Sequence, residues 1–162
     1  MSRGARVVVS DGVEQERVIA SLRDAFPGVS VIDRRANPSY GYRAVHVIPQ
    51  ITGKLVEVQV RTTLQHSWAE LSEKFSDVVD PTIKYGGGAD QIRQMLTQYS
   101  KLVEDFEENE IMLLGFPKQH LNDQQQHRLE EWQRRMVQLK SRIVESVNKM
   151  IDSVENLKGQ RP

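Results

Sequence analysis

Cysteine is absent from this chain of 162 residues, and aromatic residues make up only 6% of it. The absence of cysteine excludes disulfides, thiolate metal sites and a cysteine nucleophile, and it suits a reducing compartment. Apolar runs extend over only a few residues, which is too short for a membrane-spanning helix, and the polar start from Met1 to Gly4 is unlike a secretory signal. We therefore expect a cytoplasmic protein without a membrane partner.

Net charge is also lacking, because 22 lysines and arginines balance 22 aspartates and glutamates. A balanced chain has no general attraction for nucleic acid or acidic membranes, so any bound anion must be held by a local cluster. The motifs of a phosphate-binding loop, a zinc-protease helix and a hydrolase nucleophile elbow are missing. The triple glycine from Gly86 to Gly88 lacks the lysine of a phosphate loop and is interpreted as a link between elements.

Alternating and helical spacings of apolar residues predict the elements of the first half of the chain. The predicted strands cover residues 5–10, 29–32, 43–48 and 54–61, and the predicted helix covers residues 14–26. The last two strands are separated by four residues, 50–53, which suits an antiparallel hairpin. The first half is therefore expected to mix strands and helices.

Helical spacing dominates the second half. Thr62 and Thr63 suit the cap of a helix that carries an apolar stripe, and further helices follow over residues 90–112 and from about residue 122 onward. The last helix has a nearly heptad pattern. We expect it to pack on the helix that contains Tyr99 and Phe106, and also to suit a homo-oligomer contact. The residues expected to be buried there are Leu129, Trp132, Met136, Leu139 and Ile143.

These patterns predict an α+β fold, in which a mixed, largely antiparallel sheet is flanked by helices. We expect a first domain over residues 1–88 and a helical extension over residues 89–162, which either packs on the core or mediates oligomerisation.

Polar residues alternate with valines along residues 54–61, so Glu57, Gln59 and Arg61 share one face of that strand. Tyr42, Ala44 and His46 share a face of the preceding strand. If the four-residue connection sets the register, His46 lies opposite Glu57, Ala44 opposite Gln59 and Tyr42 opposite Arg61. All of these side chains are then expected on one surface.

Such a surface suits a metal-bound polyphosphate, with arginine on phosphate oxygens and glutamate on a metal or a sugar hydroxyl. Tyr42 would stack on a base, with Ala44 leaving room for it. His66 begins the following helix and is expected to turn toward the same surface. The alternative is an ordinary solvated sheet face, on which His46 and Glu57 form a simple cross-strand pair.

Three segments resemble, in order and spacing, the core signatures of the RelA/SpoT alarmone synthetase family. They are GYRAVH from Gly41, VEVQVRT from Val56 and QHSWAE from Gln65. The strand GARVVV from Gly4 is similar to the family's D-x-x-G-x-R strand. The resemblance covers roughly residues 1–88, and the helical remainder resembles the small, single-domain members more loosely.

The resemblance implies transfer of pyrophosphate from ATP to the ribose 3′-hydroxyl of GDP or GTP, with magnesium, to give ppGpp or pppGpp. It implies that Glu57 activates this hydroxyl or holds Mg²⁺, and that Arg6 stacks on the donor adenine. For the acceptor nucleotide it implies that Tyr42 stacks on the guanine and that His46, Gln59 and Arg61 line the site. It also implies that His66 lies near the guanine, at a position where relatives often carry asparagine.

The chain departs from the family pattern at its start, because the metal-binding aspartate of the family falls at Met1. The basic helices that precede this strand in the family have no counterpart here. We therefore expect a truncated domain with impaired synthetase activity, because these groups act on the transferring phosphates. The alternatives are a toxin-type relative acting on transfer RNA or adenine nucleotides, and an inactive module that binds a nucleotide or a protein.

Overall fold

A computed structural model describes residues 4–159 of the chain, which form a mixed α+β fold. The predicted fold class is therefore confirmed. The strands are β1 (Gly4–Val9), β2 (Ser30–Asp33), β3 (Val45–Ile48), β4 (Gln50–Ile51), β5 (Lys54–Leu55) and β6 (Glu57–Thr62). The α-helices are α1 (Gly12–Ala25), α2 (Thr63–Val78), α3 (Asp90–Leu114) and α4 (Asp123–Gly159), and a 3₁₀ turn covers Ile83–Tyr85.

Four strands form the main sheet in the order β1-β6-β3-β2. The outer strand β1 runs parallel to β6, whereas β6, β3 and β2 are successively antiparallel. Strands β4 and β5 form a separate short hairpin. The prediction that the strands around residues 45 and 58 are antiparallel neighbours is confirmed.

One face of the sheet is covered by α1. Alternation along β3 and β6 directs valines to this side, where Val45, Val47, Val58 and Val60 are buried around Ile19 of α1. The opposite face consequently receives the polar side chains of the same strands. It is open to solvent near Val8 and Ile32, which stay exposed although they lie next to Arg61 and His46 in the register.

Helix α2 begins directly where β6 ends. Thr62 and Gln65 form a capping box, in which each side chain satisfies a backbone N–H of the other, so the predicted cap is confirmed. The apolar stripe of α2 places Trp68 and Leu71 in a second core with Leu96 of α3 and Val147 of α4. This packing holds the start of α2 against the open face of the sheet.

A buried polar network connects α1 and α3 to the first turn of α2. The Gln15 side-chain amide donates to the Val60 carbonyl and to the side chain of Gln65, which in turn donates to Glu107 of α3. Burial raises the pKa of Glu107 above its usual value, although donation from Thr62 and Gln65 opposes this rise. The network therefore links α1, β6, α2 and α3 through hydrogen bonds.

The predicted packing of α4 is only partly correct. Leu129 is buried, and Met136 and Ile143 pack near Phe106, but α4 lies mainly along α2. Trp132 is 57% exposed and Leu139 is also exposed, which contradicts their expected burial. A straight helix drifts away from a seven-residue repeat, so a heptad stripe over a helix as long as α4 cannot keep all its members on one neighbour.

The exposed edge of α4 borders an apolar groove against α3, lined by Leu102, Trp132 and Leu139 among others. Association of two copies through α4 stays a prediction, and so does the division of the chain at residue 88. Among residues 4–159, no helix combines the length and the apolar character that crossing a membrane requires.

Candidate functional site

The open face of the sheet brings together the side chains that the sequence assigned to it. Tyr42 precedes β3, His46 lies within β3, and Glu57, Gln59 and Arg61 alternate along β6. Arg6 of β1 lies directly beside Gln59 in the parallel pairing, so it belongs to the same face. We refer to these six residues together with His66 as the polar face.

The register within this face differs from the prediction. His46 lies opposite Gln59, not Glu57, and Val45 lies opposite Val60, a shift of two residues. The reason is the turn: Gln50 and Ile51 pair with Leu55 and Lys54, which leaves only Thr52 and Gly53 as the connection. Both have positive φ angles, 48° and 76°, as a tight primed hairpin turn requires. A shift of two keeps every side chain on its predicted side of the sheet.

Tyr42, Gln59 and Arg61 form a connected group on the polar face. Arg61 Nη2 donates to the Tyr42 hydroxyl at 3.0 Å and to Gln59 Oε1 at 2.8 Å. The guanidinium carbon of Arg61 also lies 5.0 Å from the centre of the Tyr42 ring, a cation–π arrangement. Arg61 is only 2% exposed. Its buried positive charge lies against one face of the Tyr42 ring and helps to fix the orientation of that ring.

Glu57 and His46 form a second pair, diagonal in the register. His46 Nδ1 lies 2.5 Å from Glu57 Oε1. The rings of His46 and Tyr42 also meet in a T-shaped arrangement, with the ring centres 5.6 Å apart. This geometry orients the Glu57 carboxylate and leaves its second oxygen available for a ligand.

His66 extends the polar face from the first turn of α2. Its Nε2 lies 3.4 Å from a carboxylate oxygen of Glu70, one helical turn further on. Burial lowers the pKa of His66 below 6.5; Glu70 opposes this effect, whereas the positive charges of Arg6 and Arg61 add to it. A neutral imidazole at this position can donate one hydrogen bond and accept another.

Unpaired polar atoms concentrate on this face. Among residues 4–159, the buried side-chain atoms without a hydrogen-bond partner are Arg61 Nε and Nη1, His46 Nε2, His66 Nδ1 and, away from the face, Glu110 Oε2. Folded proteins pair nearly all buried polar atoms, so a cluster of exceptions needs an explanation. A polar ligand on the face supplies one.

A magnesium ion on this face would need phosphate oxygens of a substrate as additional ligands. Within residues 4–159, no cluster of three or more histidine, aspartate or glutamate side chains could hold a metal. Mg²⁺ commonly uses one or two carboxylates together with phosphate oxygens and water. Glu57 would supply one such carboxylate, and the position of Met1 lies outside the described residues.

The sequence analysis did not identify Arg43 and Ser100, which anchor the loop of Tyr42 to α3. Arg43 is buried and contacts Glu104 and Ser100 of α3. A serine and a glutamate one turn apart on an amphipathic helix give no sign of what they touch, so no signal in the sequence could have indicated these contacts.

The lowered pKa of His66 predicts a dependence of stability on pH. As the pH falls through 6.5, the unfolded chain binds a proton at His66 before the folded chain does, so folding stability decreases toward the lowered pKa. Replacing His66 by asparagine is expected to remove this loss. Urea unfolding above and below pH 6.5 measures it, with His120→Asn as a control because His120 is exposed. Equal pH dependence in both variants would contradict the assignment.

Comparison with known proteins gives relatives of limited coverage. No family model matches the chain. Curated proteins of Mycobacterium bovis and Mycobacterium tuberculosis, described as uncharacterized, are 36% identical over 81 residues, which is 49% of this chain and 30% of each relative. The chain therefore spans less than a third of the length of these relatives.

The fold itself has a solved counterpart. The crystal structure of small alarmone synthetase 1 from Bacillus subtilis, bound to its product pppGpp, is similar with a TM-score of 0.52. The match covers 69% of this chain and 60% of the synthetase, at 20% sequence identity. At this identity the likeness shows a shared fold, that of a small alarmone synthetase.

Proposed function

We propose that the polar face is the acceptor-nucleotide site of a RelA/SpoT-type pyrophosphokinase. The observation that carries this proposal is the cluster of buried, unpaired polar atoms at Arg61, His46 and His66 on one open face. These atoms have almost no contact with solvent in this conformation, unlike those of an ordinary solvated sheet face, so the surrounding side chains must move for the ribose hydroxyls and phosphate oxygens of a nucleotide to pair with them. The shared fold of a synthetase that binds pppGpp supports the same assignment.

In this proposal each residue has a role that its position allows. Tyr42 stacks on the guanine with the ring face that Arg61 does not cover, and His66 contacts the edge of the base. His46, Gln59 and Arg61 hold the remainder of the acceptor. Arg6, at the edge of the sheet, stacks on the adenine of ATP.

The proposed reaction is transfer of pyrophosphate from ATP to the 3′-hydroxyl of GDP or GTP. The 3′-oxygen bonds to the β-phosphorus of ATP, the bond from that phosphorus to the oxygen shared with the α-phosphate breaks, and AMP leaves. Glu57 takes the proton of this hydroxyl, and the close contact with His46 keeps its carboxylate in position. In the alternative role of Glu57, its free carboxylate oxygen would hold Mg²⁺, which would neutralise charge on the transferred group. Orienting the two nucleotides on one rigid sheet would supply much of the remaining rate enhancement.

Titration calorimetry with GDP, GTP, ATP and transfer RNA tests this function. We expect guanine nucleotides to bind in preference to the other candidates, and transfer with ATP and magnesium to be slow. The proposal assigns one carboxylate, Glu57, and one donor-side arginine, Arg6, to the transferring group, which is little electrostatic stabilisation. Glu57→Gln is the matched control, since it should retain binding and lose the residual transfer.

Three other results of these measurements would contradict the proposal or the expected impairment. Preference for transfer RNA or for adenine nucleotides would replace this proposal by the toxin-type alternative. Absence of nucleotide binding would contradict it and favour a protein-binding module. Rapid turnover by this chain would contradict the expected impairment.

A further inference from the structure

The backbone on either side of Tyr42 is tightly constrained. Ser39 and Tyr42 exchange backbone hydrogen bonds across a two-residue turn, in which Tyr40 and Gly41 have φ angles of 53° and 92°. A β-carbon at Gly41 would lie 2.7 Å from the Trp68 ring, so this residue packs directly against α2. The turn therefore restricts the position of the Tyr42 backbone relative to the sheet and α2.

A single hydroxyl of α3 ties down both neighbours of Tyr42. Ser100 Oγ donates to the Gly41 carbonyl at 2.7 Å and accepts from Arg43 Nε at 3.0 Å. Ser100 is 3% exposed, so these bonds are shielded from water. Arg43 also forms an ion pair with Glu104 at 3.1 Å, which anchors the same loop to the next turn of α3.

We propose that Ser100 is a positioning residue for the acceptor base, acting through the backbone of Tyr42. The inference rests on the proposed function, because it assumes that Tyr42 stacks on a base. Loss of the hydroxyl removes its bonds to Gly41 and Arg43 together, while Arg43 keeps its ion pair with Glu104. The backbone on both sides of Tyr42 is then held less firmly, so its ring must be ordered when the nucleotide binds. Such ordering weakens binding without removing any contact to the ligand.

A double-mutant cycle tests this role. Ser100→Ala is expected to raise the dissociation constant for GDP about five- to tenfold when Tyr42 is present, the effect of ordering one side chain on binding. In the Tyr42→Ala background, Ser100→Ala is expected to have no further effect. Thr97→Ala is the matched control, since Thr97 lies one turn earlier on α3 and its hydroxyl bonds only to its own helix.

A purely structural role gives a different pattern, in which Ser100→Ala lowers stability but leaves the dissociation constant of the folded fraction unchanged. That result, or equal weakening in both backgrounds, would overturn the inference while leaving the proposed function intact. If Tyr42→Ala alone had no effect on GDP binding, both would fail. Should Ser100→Ala not fold, Ser100→Cys carries the same cycle, because its slightly larger thiol fills the site and is only a weak donor.

Discussion

Replacing Trp68 by alanine is expected to lower the free energy of unfolding by about 3–5 kcal/mol, the usual cost of removing a buried tryptophan. Trp68 is 4% exposed, and its Nε1 donates to the Leu96 carbonyl at 2.8 Å. Its ring also supports Gly41. The substitution therefore opens a cavity between α2 and α3 and removes the bond from Trp68 to the Leu96 carbonyl.

The chain contains its own control, because its only other tryptophan is Trp132. Trp132 is largely exposed on α4, so Trp132→Ala is expected to cost less than about 1 kcal/mol. Denaturant unfolding followed by circular dichroism measures both variants. Equal destabilisation by the two substitutions would contradict the packing described for α2 and α4.

Replacing Tyr42 by alanine is expected to weaken binding of GDP or GTP about 5- to 150-fold, because stacking of one base on an aromatic side chain contributes about 1–3 kcal/mol. The ring is contacted by the Arg61 guanidinium and by the His46 ring, so neighbouring side chains set its orientation. Titration calorimetry or fluorescence of a labelled nucleotide measures the change.

Tyr42→Phe separates stacking from hydrogen bonding. It keeps the ring and removes only the hydroxyl that accepts from Arg61, so its effect should be much smaller than that of alanine. Tyr85→Ala removes an exposed tyrosine outside the polar face and should leave binding unchanged. A loss in Tyr42→Phe as large as that in Tyr42→Ala would show that the hydroxyl, and not the ring, carries recognition.

Much of the polar face could be predicted from the sequence, because strand alternation has a period of two. Glu57, Gln59 and Arg61 had to share one side of β6, and the valines between them had to share the other. The same parity brought Tyr42 and His46 to this side of the sheet. An error of two residues in the register changed which residues are opposite each other and left the faces unchanged.

The register itself could not be predicted with the same ease. The sequence from Gln50 to Gly53 is equally compatible with a four-residue loop and with the end of a longer hairpin. The hairpin forms because Thr52 and Gly53 both adopt positive φ, which lets Gln50 and Ile51 pair. That preference depends on the strands on both sides being already in place.

The sequence by itself determined the order of the elements, the two-faced character of β3 and β6 and the cap of α2 at Thr62, because these follow from local periodicity and local hydrogen bonding. Tertiary structure alone decided which apolar residues of α4 are covered, since α4 lies mainly along α2 and only partly against α3. It also decided that Ser100 would lie under Tyr42 and that Arg6 of β1 would lie beside Gln59. Contacts between residues distant in the chain depend on how whole elements pack, and no short stretch of sequence encodes them.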